Sequence, residues 1–217
     1  MTSGHKRPAF GKDDLYEQLL EWSLDGVRDN QALSSALWSA HGKDRAVLVS
    51  DLSGFTRITR QRGLLQFLAV FERARRIGEA AFTLHGGRYL KHEADNLIAL
   101  FDTPGAAAAC ARTMLWEAKK HNAGVSDVAG HVRFCIGISY GHIMELSDDA
   151  FGDAVNVAFK LGEDVAKADE ILVSEDARTE LAKSLTHKDL HALLCDPTGI
   201  DLSGVHLTHY RLPPREK

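Results

Sequence analysis

Apolar and polar positions divide the chain into alternating strands and helices from about residue 45 onward. Continuous apolar runs of four to eight residues predict buried strands, and apolar residues three or four apart predict helices. The first half is predicted to contain a strand at 45–52, a turn or short helix at 55–61, a helix from about 64 to 83, and strands at 88–94 and 96–101. A helix from Thr103 to about Asn122 follows, and then a strand at 132–140 and a helix at 152–165. The last predicted elements are a strand at 171–174, a helix at 175–184 and a strand or hairpin within 202–212.

This order mixes local hairpins with crossover connections, which is typical of an α+β fold. We predict a ferredoxin-like arrangement with an antiparallel or mixed sheet flanked by helices, and not a parallel Rossmann sheet. The main domain is expected to cover residues 45–217. Residues 1–44 are predicted to be an N-terminal extension with a helix at 13–28 and a less regular segment at 30–44.

Composition argues against nucleic acid and membrane lipid as partners, and it predicts a cytoplasmic location. The net charge of −4 and the pI of about 6.2 give no basic face for nucleic acid. No apolar run approaches the roughly 20 residues that span a bilayer. The three cysteines are an odd number without metal-ligand spacing, so we expect reduced thiols in a cytoplasmic protein.

Two aspartates border predicted strands. Asp51 follows the apolar run 46–49 of the first predicted strand, and Asp95 precedes the apolar run 97–101. Carboxylates at the ends of adjacent strands are suitable ligands for Mg²⁺ or Mn²⁺, which prefer oxygen ligands. Each aspartate alone is better explained as a turn cap, but the pair together favours a metal site.

A short turn with a glycine follows Asp51. Ser53, Gly54, Phe55 and Thr56 precede a predicted helix, and backbone N–H groups at a helix start favour anions. The chain lacks the P-loop motif and the Gly-x-Gly-x-x-Gly dinucleotide motif. An aspartyl phosphatase would need a second carboxylate at position 53, where this chain has serine.

A third group of polar residues lies between Asp149 and Lys160. Asn156 and Lys160 are four residues apart and share a helix face. An amide and a cation on this face could contact a sugar and a developing phosphate charge. On spacing alone, an ordinary amphipathic helix with a solvated lysine is the better explanation.

Taken together, these motifs resemble the catalytic domain of class III nucleotidyl cyclases over roughly residues 45–212. The family's first metal motif reads Asp-Ile-x-Gly-Phe-Thr, and this chain has Asp51-Leu-Ser-Gly-Phe-Thr56. The second metal motif is matched by Ala94-Asp95. Lys91, four residues before Asp95, and Asp149, seven residues before Asn156, match adenylate rather than guanylate cyclases.

The resemblance implies that the chain is an adenylate cyclase, which converts ATP to 3′,5′-cyclic AMP and pyrophosphate with two Mg²⁺ or Mn²⁺ ions. It implies a head-to-tail homodimer with sites at the subunit interface. One subunit would supply the metal ligands and the phosphate turn, and the other would supply the base-reading pair and the catalytic residues. The implied residues are Asp51, Asp95 and the Leu52 carbonyl for metal, Ser53, Gly54, Phe55 and Thr56 for phosphate, Lys91 and Asp149 for adenine, and Asn156 and Lys160 for catalysis.

Three departures from the family pattern leave other functions open. Lys160 stands where the family has arginine, Ser203 where many members have lysine, and Ala94 where the family has glycine. Lysine keeps the charge of arginine but not its planar, bidentate fork. The chain could therefore be a catalytically weak nucleotide-binding module that regulates a partner, or a cyclase for another nucleotide such as CTP or UTP.

Overall fold

The computed structural model describes residues 10–24, 31–202 and 205–214. The helices are α1 Lys12–Leu24, α2 Gln31–His41, α3 Phe55–Arg62, α4 Leu64–Leu84, α5 Pro104–Ala123, α6 Asp153–Phe159, α7 Glu175–Ala182 and α8 His187–Leu193, with a 3₁₀ turn at Val128–Gly130 and a π-helical turn at Lys160–Val165. The strands are β1 Gly42–Leu52, β2 Arg88–Glu93, β3 Asn96–Phe101, β4 Phe134–Glu145, β5 Ala150–Phe151, β6 Glu170–Ser174, β7 Pro197–Leu202 and β8 Val205–Arg211.

Within the described ranges the strands form one mixed sheet in the order β2-β3-β1-β4-β6-β8-β7, with β5 paired to β4. Strand β4 runs parallel to β6, and the other neighbours are antiparallel. Helices lie against the sheet. This confirms the predicted α+β fold with a mixed sheet flanked by helices.

The central strand β1 is covered on both faces. Ala46 and Leu48 belong to the large core formed with α4, α5 and α7. Val47 and Val49 belong to a second core beneath α6. Alternate side chains of a strand point to opposite faces, so burial on both faces explains the continuous apolar run in the sequence.

The N-terminal extension is more helical than predicted. The expectation of an irregular segment at 30–44 was wrong, because α2 spans most of it and β1 already begins at Gly42. The segment has no glycine or proline inside the helix, and Leu33 and Leu37 are four residues apart on one face. Leu37 packs with Leu15 of α1 against β4. Residues 25–28 of the predicted first helix lie outside the described residues.

Other boundaries also differ from the predictions. The helix predicted at 152–165 ends at Phe159 and continues as the π-helical turn, which accommodates a wider hydrogen-bonding ring than an α turn. Strand β4 continues to Glu145 instead of ending near Tyr140. The C-terminal segment is a hairpin that begins at Pro197, and it is preceded by the unpredicted helix α8.

No helix in the part of the chain that the structure describes is long and apolar enough to cross a membrane.

Candidate active site

The structure brings Asp51 and Asp95 together. Asp51 is the penultimate residue of β1, and Asp95 lies in the turn of the β2–β3 hairpin. The antiparallel pairing of β1 with β3 sets Ser50 opposite Leu97, so both aspartates lie at the same end of the sheet. Both side chains line the same cleft, and the charge of Asp95 acts on Asp51. The pair that the sequence predicted as metal ligands is therefore formed within one chain.

The proximity of the two carboxyl groups changes the protonation of Asp51. Burial, the negative charge of Asp95 and the negative charge of Glu163 together raise the pKa of Asp51 from 3.8 to about 6. A hydrogen bond from the Leu52 backbone acts in the opposite direction. A raised pKa is expected for a partly buried acid beside a like charge when no cation is bound, because burial and the like charge both disfavour its ionised form.

The hairpin turn that carries Asp95 has a strained residue. Ala94 has a φ of 52°, in the left-handed region where a side chain is unfavourable. This is the position where the family pattern has glycine. The chain adopts the turn in spite of the methyl group.

The glycine turn after Asp51 opens helix α3 as predicted. Gly54 has a φ of 104° and occupies the N-cap position, which allows the sharp change of direction. The Ser53 N–H donates to the Arg133 carbonyl oxygen at 3.0 Å. Because Ser53 N–H has this partner, phosphate would meet the N–H groups of the first turn of α3, at Phe55 and Thr56, which have no partner within the helix.

Both aspartates and the turn line one open cleft of about 660 Å³. The sequence analysis missed the other side chains of this cleft. Two cations, Arg57 and Lys167, lie in it, although nothing in their sequence context distinguished them from solvated residues. The full lining is Asp51, Leu52, Ser53, Gly54, Phe55, Thr56, Arg57, Asp95, Cys135, Glu163, Ala166, Lys167 and Ala168.

A third carboxylate, Glu163, reaches the cleft from the π-helical turn. It accepts a hydrogen bond from the Asn96 side-chain amide, next to Asp95. The Asn96 side chain is buried, and its Oδ1 atom has no hydrogen-bond partner. Sequence periodicity would not have found Glu163, because a π turn shifts the face on which a helical residue points.

This donor set fits a divalent cation. The oxygens of Asp51 and Asp95 are hard ligands, and their mutual repulsion is relieved when a cation binds. Among the described residues, no group of three or more histidine, cysteine, aspartate or glutamate side chains is close enough to enclose a metal by itself. A cation held here would thus keep positions for backbone carbonyl, water or phosphate oxygens.

The predicted base-reading residues form an ion pair elsewhere on the chain. The Lys91 ammonium lies 2.9 Å from both oxygens of Asp149. Partial burial opposes the charge on Lys91, but hydrogen bonds and charge from Asp149 raise the pKa of Lys91 overall. Burial likewise opposes the charge on Asp149, and hydrogen bonds from Lys91, the Ala150 backbone and Lys12 lower its pKa overall.

Asn156 and Lys160 lie on the outer side of α6 and its continuation. Asn156 is exposed, whereas its neighbour Val155 is buried against the sheet. The Lys160 ammonium forms an ion pair with Asp164 at 3.2 Å, one turn later. Lys160 is the charged member of the predicted catalytic pair, and it already has an anionic partner in its own chain.

The backbone around α6 lies directly on the sheet. A side chain on Gly137 of β4 would collide with the Ala158 carbonyl oxygen, and one on Gly162 would come within 3.1 Å of the Val49 carbonyl oxygen. Glycine is required at Gly137, because the backbones leave no room for a Cβ atom there, and a Cβ atom at position 162 would make a tight contact.

The predicted site residues therefore fall into separate groups on one chain. The cleft with Asp51 and Asp95 is not lined by Lys91, Asp149, Asn156 or Lys160. A single described chain does not assemble all of the predicted residues around one cleft. Ser203, whose identity departs from the family pattern, lies outside the described residues.

Comparison with known proteins supports the resemblance drawn from the sequence. The chain is 29% identical over 139 residues to an adenylate cyclase of Streptomyces coelicolor, covering 64% of this chain and 34% of that protein. The chain thus matches only about a third of the length of this curated relative. No family model matches the chain.

Solved structures have the same fold. An adenylate/guanylate cyclase/hydrolase from Silicibacter pomeroyi has a TM-score of 0.65 at 24% identity, covering 80% of this chain and 98% of that one. A dimeric guanylyl cyclase domain from Blastocladiella emersonii has a TM-score of 0.62 at 17% identity, covering 81% and 99%. The class III cyclase fold is therefore confirmed, with both adenylate and guanylate cyclases among the similar structures.

Proposed function

We propose that this domain, a class III nucleotidyl cyclase domain by its fold and sequence similarity, converts ATP to 3′,5′-cyclic AMP and pyrophosphate. The active unit would be a head-to-tail homodimer with sites between the subunits. The observation that carries the proposal is the pairing of Asp51 with Asp95 in one cleft while Lys91 pairs with Asp149 outside it. A second copy of the chain would bring the two groups together.

An exposed apolar surface beside the cleft supports assembly. Phe55 and Leu64 are about half exposed, and Leu65 is 82% exposed. Leu68 continues this surface along α4. Several exposed apolar side chains on neighbouring helices are typical of protein interfaces. Because the surface starts at Phe55, inside the phosphate turn, a subunit that covers it would border the cleft.

In this proposal Asp51, Asp95 and the Leu52 carbonyl hold Mg²⁺ or Mn²⁺, two ions per site. Bound divalent cations lower the pKa of a coordinated hydroxyl and neutralise phosphate charge. The carboxylates supply the negative charge that retains the ions, and the N–H groups at the start of α3 face the phosphates. Arg57 and Lys167 add positive charge to the same cleft.

The reaction is an intramolecular displacement. The ribose 3′-oxygen forms a bond to the α-phosphorus, and the bond from that phosphorus to the bridging oxygen of the β-phosphate breaks. Pyrophosphate leaves with the electron pair of the broken bond, and the proton of the 3′-hydroxyl is released. Asn156 would orient the ribose, and Lys160 would stabilise the charge that develops on the phosphate oxygens.

Lys91 and Asp149 would select the base. Their pairing presents one cationic donor beside one acceptor, which complements the ring nitrogen and the exocyclic amine of adenine. A base with the opposite donor and acceptor pattern would leave these groups unmatched, which a polar site penalises strongly. We therefore propose ATP as the preferred substrate over GTP.

The decisive test combines turnover with complementation. Purified chain should form cyclic AMP from ATP with Mn²⁺ or Mg²⁺, and Asp51→Ala and Asn156→Ala should each abolish it. Because the two substitutions affect opposite halves of a shared site, an equal mixture of the two variants should recover up to about a quarter of the wild-type activity. Failure to recover activity in dimers that exchange subunits would contradict the shared site.

A second candidate function follows from the ion pair of Lys160 with Asp164. A cation neutralised in this way would leave a domain that binds nucleotide and regulates a partner but turns over slowly. Binding of ATP measured by calorimetry without product formation would favour this function. Competition among ATP, GTP, CTP and UTP in one assay would test whether the preferred substrate is a nucleotide other than ATP. The cytoplasmic location stays a prediction.

A further inference from the structure

The N-terminal end of the described chain contacts the base-reading pair. The Lys12 ammonium lies 3.2 Å from Oδ2 of Asp149. Lys12 is the first residue of α1, in the extension that precedes the cyclase domain. Two lysines from distant parts of the sequence, Lys12 and Lys91, therefore share one carboxylate.

Backbone hydrogen bonds, in addition to the Lys12 side chain, hold the start of α1 against the turn that carries Asp149. The Lys12 N–H donates to Oδ1 of Asp148 at 2.8 Å, and the Ser147 N–H donates to the Phe10 carbonyl oxygen at 3.0 Å. We name residues 10–12 the strap. Gly11 is buried within it, and a Cβ atom there would lie 3.1 Å from Oδ1 of Asp148 and 3.2 Å from Oγ of Ser147. The strap therefore fits closely on the turn that carries Asp149.

Docking of the strap leaves little of Asp149 accessible. Its Oδ1 accepts from the Ala150 N–H at 2.8 Å, and Lys91 contacts both of its oxygens. Lys12 occupies a further position on Oδ2, and the Asp149 side chain is only 7% exposed. Since a carboxylate offers about four acceptor positions, most of them are already filled. An amine of an incoming base would have to displace Lys12.

We propose that Lys12 is a specificity residue of the base site, which competes with the exocyclic amine of a bound base for Asp149. This inference rests on the proposed function, in which Asp149 reads the base. A nucleobase that carries an amine at this position, as in ATP or CTP, binds only when the strap releases Asp149. A base that carries a carbonyl there, as in GTP or UTP, does not need the carboxylate and gains nothing from release.

The test is nucleotide binding to Lys12→Met, measured by calorimetry with 3′-deoxy nucleotides and Mn²⁺ so that no cyclisation occurs. The affinity for 3′-deoxy-ATP should rise about tenfold, which corresponds to about 1.4 kcal/mol, because the competing state is removed. The affinity for 3′-deoxy-GTP should not rise. Lys43→Met is the matched control, since Lys43 is also a partly exposed lysine in an ion pair, with Glu145 at 3.7 Å, and should leave binding unchanged.

A second variant keeps the lysine and weakens the strap. Gly11→Ala introduces a methyl group against Asp148 and Ser147, and it should raise the affinity for 3′-deoxy-ATP in the same direction as Lys12→Met. Hydrogen exchange of the Lys12 and Ser147 amides should accelerate when 3′-deoxy-ATP binds to the wild-type chain, because both amides lose their partners.

Three results are distinguishable. Tighter binding of the adenine nucleotide alone, with faster amide exchange, supports the proposal. Equal affinity of wild type and both variants for 3′-deoxy-ATP overturns the role of Lys12 and leaves the cyclase function intact. Absence of nucleotide binding in every variant, together with no cyclic AMP formation by the wild type, overturns the proposed function and this inference with it.

Discussion

Asp51 and Asp95 line the same cleft, where burial and the negative charge of Asp95 favour the protonated form of Asp51. The pKa of Asp51, about 6 in the folded chain, is above its value of 3.8 in an unfolded chain. A raised acid pKa means that ionisation opposes folding. The penalty is absent below about pH 4, grows between pH 4 and pH 6, and is complete above pH 6.

We therefore predict that Asp51→Asn stabilises the metal-free domain at pH 8. Because Asp51 is partly solvated, we expect the free energy of unfolding to rise by about 1–2 kcal/mol at pH 8 and by clearly less at pH 4.5. Urea denaturation in the presence of a chelator measures both values. An equal gain at the two pH values would show that the effect has another origin.

A proton on Asp51 competes with a divalent cation for the carboxylate oxygens. Mn²⁺ binding requires Asp51 to be ionised, so the affinity should be constant above about pH 6.5 and fall by up to about tenfold for each pH unit below 6. Calorimetric titration of the chain with Mn²⁺ alone would measure this dependence. Asp95→Asn should abolish the binding, and an affinity that is independent of pH would contradict the assignment of Asp51 as a ligand.

Arg57 and Lys167 are expected to hold the triphosphate. Each is an exposed cation in the cleft, so its removal as Arg57→Met or Lys167→Met should raise the KM for ATP about threefold to tenfold, typical of a partly solvated charge–phosphate contact. Steady-state kinetics would measure the change. Arg60→Met is the matched control for Arg57, because Arg60 lies on the same helix and does not line the cleft.

Lys160 limits the stabilisation of transition-state charge in two ways. It lacks the bidentate fork of arginine, and Asp164 partly neutralises it. Lys160→Arg is expected to raise kcat severalfold with little change in KM, and Asp164→Asn should do the same to a smaller extent. Single-turnover assays would separate this step from product release. A kcat that falls in Lys160→Arg would mean that the site has adapted to lysine.

Ala94→Gly should stabilise the hairpin. The left-handed φ of 52° costs alanine about 1–2 kcal/mol, and the greater freedom of glycine in the unfolded chain returns part of that. We expect a net gain of about 0.5–1 kcal/mol in the free energy of unfolding, measured by urea denaturation. Gly86→Ala, at a φ of 69°, is the reverse substitution and should destabilise by a similar amount.

Local sequence was sufficient to predict much of the fold and the carboxylate pair. The buried run before Asp51 and the hairpin signals around Asp95 each specify a strand end, and the antiparallel pairing of β1 with β3 in the structure brings the two ends together. The resemblance to the cyclases then gave roles to Lys91, Asp149, Asn156 and Lys160. Their roles stay predictions, and what the structure adds is that Lys91 and Asp149 form an ion pair within one chain.

The parts that the sequence did not reveal depend on contacts between distant segments. Glu163 reaches the cleft because the helix widens into a π turn, which no apolar periodicity encodes. Arg57 and Lys167 become neighbours of the carboxylates only after the sheet is assembled. The contact of Lys12 with Asp149 spans 137 positions and involves an ordinary surface lysine, so composition and spacing gave no sign of it.

The contact of Gly137 with the backbone that follows Asn156 restricts how this domain can evolve. A helix that packs on a sheet through core side chains can shift when those side chains change size. Here Gly137 meets the backbone of Ala158 directly, so this backbone contact sets the height of Asn156 above the sheet. Core side chains can therefore change among relatives while the backbone keeps Asn156, the predicted catalytic residue, in the same place.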